Sequence, residues 1–306
     1  MTAETITAAA SGTFRLGDFP VHRTGFGTMR LTGSSAFHEG TPSDRARSIA
    51  VLRRARELGV NHIDTAAFYF SALRSANELL NTALAPYPDD LLIATKVGPF
   101  REQDGGWGTS ARPDQLRGQV EENLRQLGRD HLDLVYLRRM RQDSIAEHFG
   151  ALAELREAGL IRHLGISAVR PRHLTEALEI APVVSVQQRY ALDLPDPGTD
   201  TLLEMCRERG IAFVPYYAVA GEGGEHGAVA ARAEAEVAET ARAHGVRPAQ
   251  IRTAWTLHQG PHVLAITGTG NPDHLVENIA AGALRLTAEE LTRLNALHRE
   301  ASRPAG

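Results

Sequence analysis

Three residues in the first third of the chain, Asp64, Tyr69 and Lys96, have types and spacing that suit proton transfer. Asp64 and Lys96 end short apolar runs that we expect to be neighbouring strands, so the two side chains lie close together. A lysine charge near a phenol lowers the pKa of the tyrosine from its usual value near 10, and a carboxylate keeps that lysine charged. Such a tyrosine can protonate a carbonyl oxygen while hydride reaches the carbon. These residues alone leave open an ordinary Asp–Lys ion pair with Tyr69 as packing.

The elements that must position these residues alternate between short apolar runs and longer segments with apolar residues three or four positions apart. Eight strands alternating with helices in 306 residues predict a parallel α/β sheet, either closed as a (β/α)8 TIM barrel or open and doubly wound. The GxGxxG motif that favours the open form is missing. The predicted strands are one that ends at 25–27, followed by 62–64, 91–95, 132–137, 161–167, 183–187, 211–216 and 263–267.

The start of the chain predicts a small additional element. Residues 13–16 and 20–22 flank Gly17 and Asp18, which is typical of a β-hairpin placed before the first barrel strand. We expect residues 1–306 to form a single domain, of which residues 1–12 are flexible.

Composition excludes several classes of protein. The net charge of −4 gives no basic field for nucleic acid or an anionic membrane, and no stretch reaches the roughly 18 apolar residues of a membrane span. The start of the chain lacks the pattern of a signal peptide, and the single Cys206 forms no internal disulfide, so we expect a cytoplasmic protein. The 13 histidines show no metal-binding spacing, and we expect no metal site. Nothing in the pattern separates a monomer from a homodimer.

Polar residues end several of the predicted apolar strands, where a barrel carries its chemistry. Burial of such groups is costly unless they bind one another or a ligand, so a site is expected at this end of the barrel before any family is considered. The residues at these strand ends are Asp64, Lys96, Arg138, Ser167, Gln187, Tyr216 and Gly268.

Several motifs resemble the aldo-keto reductase family. Residues 59–69 read Gly-Val-Asn-His-Ile-Asp-Thr-Ala-Ala-Phe-Tyr and resemble its catalytic Asp/Tyr signature, and Thr-Lys-Val-Gly at 95–98 resembles its lysine motif. The similarity extends in order over nearly the whole chain, through 25–29, 165–167, 186–187 and 268–278. The resemblance implies a (β/α)8 barrel and an NADPH-dependent reduction of an aldehyde, ketone or imine.

By this resemblance Asp64, Tyr69 and Lys96 are three of four catalytic residues, and the fourth position, usually histidine, is Arg138. An arginine only donates hydrogen bonds, whereas histidine can also share a proton. Arg138 is expected to donate to a developing alkoxide, to hold Tyr69 as phenolate, or to bind an anionic group of the substrate. Leu137-Arg138 and the stretches 61–65 and 85–90 are similar to a bacterial pyridoxal-reductase-like subgroup.

The resemblance also implies a set of cofactor residues. Ser167 and Gln187 match positions that hold the nicotinamide carboxamide, although the asparagine that usually follows the serine is Ala168 here. Tyr216 matches the aromatic that stacks on the nicotinamide, and 266–278 match the loop and helix start that bind the adenosine phosphates. NADPH is the expected cofactor, with NADH as the alternative, because only His274 and backbone stand where relatives grip the 2′-phosphate. The complete set is Gly27, Thr28, Met29, Asp64, Ser167, Gln187, Tyr216, Gly268, Thr269, His274, Glu277 and Asn278.

Two loops are expected to shape the substrate pocket, 98–113 with Trp107 and the glycine-rich segment 218–228. Trp107 and Arg138 are the predicted pocket residues, with a Trp107 that folds onto the surface as the alternative. Three functions remain open: a general carbonyl reductase, a pyridoxal reductase of vitamin B6 salvage, and a nucleotide-binding regulatory protein that has lost catalysis.

Overall fold

The computed structural model describes residues 6–33, 43–71, 73–101, 107–216 and 228–301. Eight parallel strands form one sheet and lie side by side in chain order, with the eighth next to the first. Ile266 pairs with Gly25 across that junction, and a bridge between Phe213 and Val263 joins the seventh strand to the segment just before the eighth. The sheet is therefore a closed barrel, as predicted. Its strands are Thr24–Gly27, His62–Asp64, Leu92–Val97, Leu132–Arg138, Ile161–Ser167, Val183–Arg189, Ala212–Tyr216 and Ala265–Thr267.

Helices connect the strands around the outside of the barrel. Gly128 and Gly210 end two of them in the left-handed conformation, with φ of +64° and +65°, which glycine adopts at little cost. Pro171, Pro248 and Pro272 begin three others, where a missing N–H costs nothing. The α-helices of the described residues are Arg45–Glu57, Ala76–Leu84, Leu116–Leu127, Ala146–Glu157, Pro171–Ile180, Pro197–Arg209, Ala228–His244, Pro248–His258, Pro272–Ala280 and Ala288–Ala301.

Two apolar layers form because side chains alternate along each strand. One layer fills the space between strands and helices, and the other, which includes Leu92, Leu134 and Val214, fills the barrel interior. Asp64 pairs with Ala94, and Lys96 pairs with Tyr136, so both charged side chains share the interior register. The barrel interior is thus apolar toward the amino-terminal ends of the strands and charged at their carboxyl ends.

The predicted hairpin is present as Thr13–Leu16 and Phe19–His22, and it contributes Leu16 and Val21 to the interior layer. Within the segment 1–12, which we expect to be flexible, Ala8–Ser11 form a 3-10 helix. Ala8 is fully buried, and its N–H donates to the carbonyl of Leu58 at 2.8 Å.

Two further hairpins stand at the carboxyl ends of the strands, Phe70–Ser71 with Arg74–Ser75 and Pro99–Arg101 with Trp107–Ser110. These hairpins were not predicted from the sequence, because strands of two to four residues are too short for a periodic pattern. Within the described part of the chain, no helix has the length and apolar character needed to cross a membrane.

Candidate active site

A buried ion pair lies at the centre of the barrel mouth. Lys96 Nζ donates to both carboxylate oxygens of Asp64, at 2.6 and 2.7 Å, and to the carbonyl of Thr65 at 3.0 Å. Each charged residue is only 3% exposed. The amide nitrogen of Gln187 donates to the same carboxylate at 2.7 Å. The three acceptors match the three N–H donors of an ammonium group, so the charge of Lys96 and the charge of Asp64 compensate each other within the fold.

Tyr69 packs on this pair. Lys96 Nζ lies 4.8 Å from the centroid of the Tyr69 ring, and Phe68 meets the same ring edge-on at 5.2 Å. Burial and the Asp64 carboxylate raise the pKa of Tyr69 above its usual value, while the positive charge of Arg138 lowers it by less. The expectation that Lys96 lowers the pKa of Tyr69 is therefore wrong. Lys96 directs its donors to Asp64 and Thr65, and burial raises the pKa of Tyr69, so Tyr69 remains protonated at ordinary pH.

Arg138 ends the fourth strand beside this group. Its guanidinium carbon lies 5.7 Å from the centroid of the Tyr216 ring. Its charge acts on two neighbours, since it lowers the pKa of Tyr69 and adds to the burial that lowers the pKa of Lys96. Four predicted catalytic residues from three strand ends and the loop after the second strand thus meet at one mouth.

The predicted nicotinamide residues lie on the next two strands. Ser167 Oγ donates to the side-chain oxygen of Gln187 at 3.3 Å, and both residues are almost completely buried. Because the Gln187 amide nitrogen donates to Asp64, this amide connects the ion pair to Ser167. That contact was not predicted. Tyr216 lies at the end of the seventh strand and presents its ring to Arg138.

Glycines bring two backbones close together where the first and eighth strands end. A Cβ on Gly268 would lie 2.3 Å from the carbonyl oxygen of Gly27, and a Cβ on Gly27 would lie 2.7 Å from that of Ile266. The N–H of Thr28 donates to the carbonyl of Asp64 at 2.9 Å, which ties this junction to the ion pair. Met29 follows as the start of a short 3-10 helix.

The helix Pro272–Ala280 begins directly after this junction. Asn271 caps it by accepting the N–H of Asp273 at 2.9 Å, and Thr269 Oγ accepts the N–H of Asn271 at 3.0 Å. His274 is exposed, Asn278 is buried, and Glu277 pairs with Arg247 at 2.9 Å. A helix start beside a glycine junction without side chains fits the phosphates of a dinucleotide.

A buried polar network beside the ion pair was not predicted from the sequence. Thr65 Oγ donates to the Asn77 side-chain oxygen at 2.7 Å, and the Asn77 amide donates to that of Asn123 at 3.0 Å. Thr95 Oγ donates to the same Asn123 oxygen at 2.5 Å, and Thr28 Oγ donates to Thr65 at 2.9 Å. Asn123 thereby holds the neighbours of both Asp64 and Lys96. One signal in the sequence could have indicated this network. Both asparagines stand at positions that the helical period places on a buried face.

Two other residues are conspicuous. His62 is completely buried below Asp64, neither ring nitrogen has a hydrogen-bond partner among the described residues, and burial lowers its pKa to about 4. Ala168 adopts a left-handed φ of +57°, a conformation in which asparagine is several-fold enriched.

The backbone of Trp107 lies in the second mouth hairpin, but its side chain and the loop at 217–227 lie outside the described residues.

Comparisons with known proteins agree with this geometry. The sequence pattern of the aldo/keto reductase family matches residues 23–299. The chain belongs to the aldo/keto reductase family. Pyridoxine 4-dehydrogenase from Escherichia coli (strain K12) is 39% identical over 298 residues, which cover 95% of this chain and 100% of that enzyme.

Solved aldo-keto reductases share the barrel. One from Klebsiella pneumoniae in complex with NADPH has a TM-score of 0.75 at 25% identity, and the match covers 96% of each chain. A thermostable aldo-keto reductase in complex with the inhibitor epalrestat has a TM-score of 0.77 at 30% identity, covering 92% of this chain and 97% of its own. The predicted family, barrel and enzyme class, an NAD(P)H-dependent oxidoreductase, are thereby confirmed, as is NADPH as the cofactor.

Proposed function

We propose that this aldo-keto reductase reduces an aldehyde, ketone or imine with Tyr69 as the proton donor. The observation that carries the proposal is the packing of Tyr69 against a buried, internally neutralised Asp64–Lys96 pair at the barrel mouth. A phenol that carries its proton at ordinary pH can give it to a substrate oxygen on which negative charge develops, which is the task of a general acid.

The chain's own residues divide the remaining work. Bound NADPH supplies the hydride. Tyr69 gives its proton to the substrate oxygen, and Arg138 donates a hydrogen bond to the charge that develops there. Lys96 and Asp64 position the Tyr69 ring, and Gln187 fixes the carboxylate from the opposite strand. Gly27, Thr28, Met29, Gly268, Thr269, His274, Glu277 and Asn278 are the proposed phosphate and adenosine side of the site, and Ser167, Gln187 and Tyr216 its nicotinamide side.

Pyridoxal is the substrate we propose to test first. Its aldehyde lies beside a phenolic oxygen, which as phenolate is an anion next to the reacting carbon. Arg138, a permanent cation at the mouth, suits such a pair of oxygens better than a neutral histidine does. The similarity to a protein named pyridoxine 4-dehydrogenase supports the same substrate.

Titration with NADPH and NADH, followed by quenching of intrinsic fluorescence, tests the nucleotide site. Pyridoxal and a panel of neutral aldehydes are then added while nicotinamide absorbance is followed. We expect Tyr69→Phe to bind NADPH with unchanged affinity and to lose turnover of every substrate. Full activity in Tyr69→Phe would overturn the assigned role.

Arg138→Met separates the two roles proposed for Arg138. If Arg138 binds the phenolate, KM rises more for pyridoxal than for benzaldehyde. Equal losses of kcat with both aldehydes indicate that Arg138 acts on the reacting oxygen alone. Nucleotide binding without turnover of any carbonyl would contradict the enzyme proposal and favour a regulatory protein.

A further inference from the structure

A cavity lined by two arginines lies at the opposite end of the barrel from the active site. It occupies about 180 Å³ beside the residues that precede the first and eighth strands. The segments around it are the N-terminal 3-10 helix, the end of the helix Pro248–His258 and the residues that follow Ala280. Its polar and charged lining residues are Ser11, Arg23, His258 and Arg285.

Two arginines of this cavity bind only backbone carbonyls. Arg23 donates to the carbonyls of Val263 at 3.1 Å, Gly260 at 2.6 Å, Ser11 at 3.5 Å, and Leu257. Arg285 donates to those of Gly282, Leu284 and Ala10, each within 3.1 Å. A guanidinium has five N–H donors, so these seven bonds leave three of ten donors without an acceptor among the residues that the structure describes.

The charge of the two arginines is also uncompensated. Of the described residues that line the cavity, none is acidic, and neither arginine forms an ion pair with a described residue. Burial lowers the pKa of Arg23, and repulsion from Arg285 lowers it further. His258 also lines the cavity, and its Nδ1 lies 2.7 Å from the carbonyl oxygen of Ala254. Arg23 is partly buried and Arg285 is exposed at the edge of the cavity, so two like charges without an acidic partner favour an anion between them.

The size of the cavity limits that anion. A cavity of about 150 Å³ holds one benzene molecule, whereas pockets for drug-sized ligands begin near roughly 300 Å³. The cavity therefore has room for one small oxyanion and excludes a dinucleotide such as the cofactor.

We propose that Arg23 and Arg285 form a second ligand site, which binds a phosphate group at the amino-terminal end of the barrel. The phosphate bridges segments far apart in the chain, because Arg23 precedes the first strand and Arg285 follows the last helix but one. Occupation joins the two ends of the chain and stabilises the closed barrel through mass action.

Thermal unfolding of the NADP⁺-saturated protein tests the site, with inorganic phosphate added at constant ionic strength against chloride. NADP⁺ occupies the phosphate positions of the active-site mouth, so they do not contribute. We expect a saturable rise of the unfolding midpoint with phosphate. In Arg285→Ala the apparent affinity falls at least about tenfold, since one guanidinium is worth that much to a bound phosphate. Arg285→Lys keeps the charge and gives an intermediate affinity.

Arg15→Ala is the matched control, because Arg15 is exposed on the N-terminal hairpin and does not line the cavity. It keeps the phosphate response of the wild type, and Arg285→Ala keeps wild-type reductase activity. The absence of a saturable response, or an equal response in Arg285→Ala, would overturn the proposal. A phosphate monoester such as glycerol 3-phosphate distinguishes the two sources of the bound phosphate group. If the ester binds more tightly than inorganic phosphate, the ligand is an ester; if it binds equally or more weakly, the ligand is the free ion.

Discussion

The two sides of the barrel mouth are built by different means. On the side of the second, third and fourth strands, charged and amide side chains meet one another, as in Asp64 with Lys96 and Asn77 with Asn123. On the side of the first and eighth strands, the decisive groups are backbone atoms, because Gly27 and Gly268 leave no room for a side chain. The first side is positioned by hydrogen bonds and the second by close packing of the main chain.

This difference indicates which substitutions disrupt each side of the barrel mouth. A hydrogen-bonded cluster of buried charges fails when one partner is removed, because the remaining partner is left desolvated and unpaired. A glycine junction fails when any side chain is added. Substitutions therefore act on chemistry at the first side and on nucleotide binding at the second.

The largest effect is expected from Lys96→Met. The loss of the ammonium leaves Asp64 buried and unpaired, which destabilises the fold by about 3–5 kcal/mol, and it removes the group on which Tyr69 packs. We expect kcat to fall roughly 10²–10⁴-fold. The double variant Asp64→Leu/Lys96→Met replaces the pair by apolar side chains and recovers most of the stability without activity. Recovery of activity in the double variant would contradict this role for the pair.

Asn123→Ala is expected to have the next largest effect. It removes the acceptor of both Asn77 and Thr95, so the segments that carry Asp64 and Lys96 shift. We expect kcat to fall up to about 10²-fold with little change in KM, since small displacements at a reacting centre have this cost. Asn81→Ala is the control, because Asn81 donates to Gln126 and is not part of the network. Equal kinetics in the two variants would refute a positioning role for Asn123.

Gly268→Ala tests the other side of the mouth. Its Cβ would lie 2.3 Å from the Gly27 oxygen, so the junction must open, and such overpacking costs about 1–3 kcal/mol. We expect NADPH affinity to fall about tenfold, which corresponds to roughly 1.4 kcal/mol. Gly270→Ala is the matched control, because its Cβ would have only an ordinary contact of 3.7 Å. Fluorescence titration measures both, and equal affinities would show that the close approach has no role in binding.

Ala168→Asn is expected to have the smallest effect, in the favourable direction. Asparagine tolerates the left-handed φ of Ala168 better than alanine does, so the free energy of unfolding rises by about 0.5–1 kcal/mol. Its amide also adds a possible partner for the nicotinamide carboxamide beside Ser167. Chemical denaturation and NADPH titration measure the two gains, and a loss of stability would show that φ here does not limit the fold.

The fold and much of the site followed from the sequence because both depend on strand ends. The runs that end at Asp64 and near Lys96 had to be neighbours once the barrel was recognised, and the structure joins their side chains directly. Gly268 was also placed correctly, but its approach to Gly27 was invisible, since a distance between two main chains leaves no periodic pattern.

The sign of the Tyr69 pKa could not be predicted from residue types. Burial of the phenol and the Asp64 carboxylate raise this pKa, and residue types do not show how deeply a side chain is buried. Nor do they show that Lys96 directs its three donors to Asp64 and Thr65. The network through Asn77 and Asn123 was missed for a related reason. Helical periodicity marks which positions are buried, but it does not show which buried polar groups bond to one another.

The protonation state of Tyr69 tests the account most directly. Tyrosinate absorbance is followed against pH in the wild type and in Tyr69→Phe, and the difference between the two curves isolates this side chain. Burial and Asp64 raise the pKa of Tyr69, so we predict no difference below the ordinary tyrosine value near 10. An additional tyrosinate with a midpoint below that value, present in the wild type and absent from the variant, would contradict a neutral, preassembled acid.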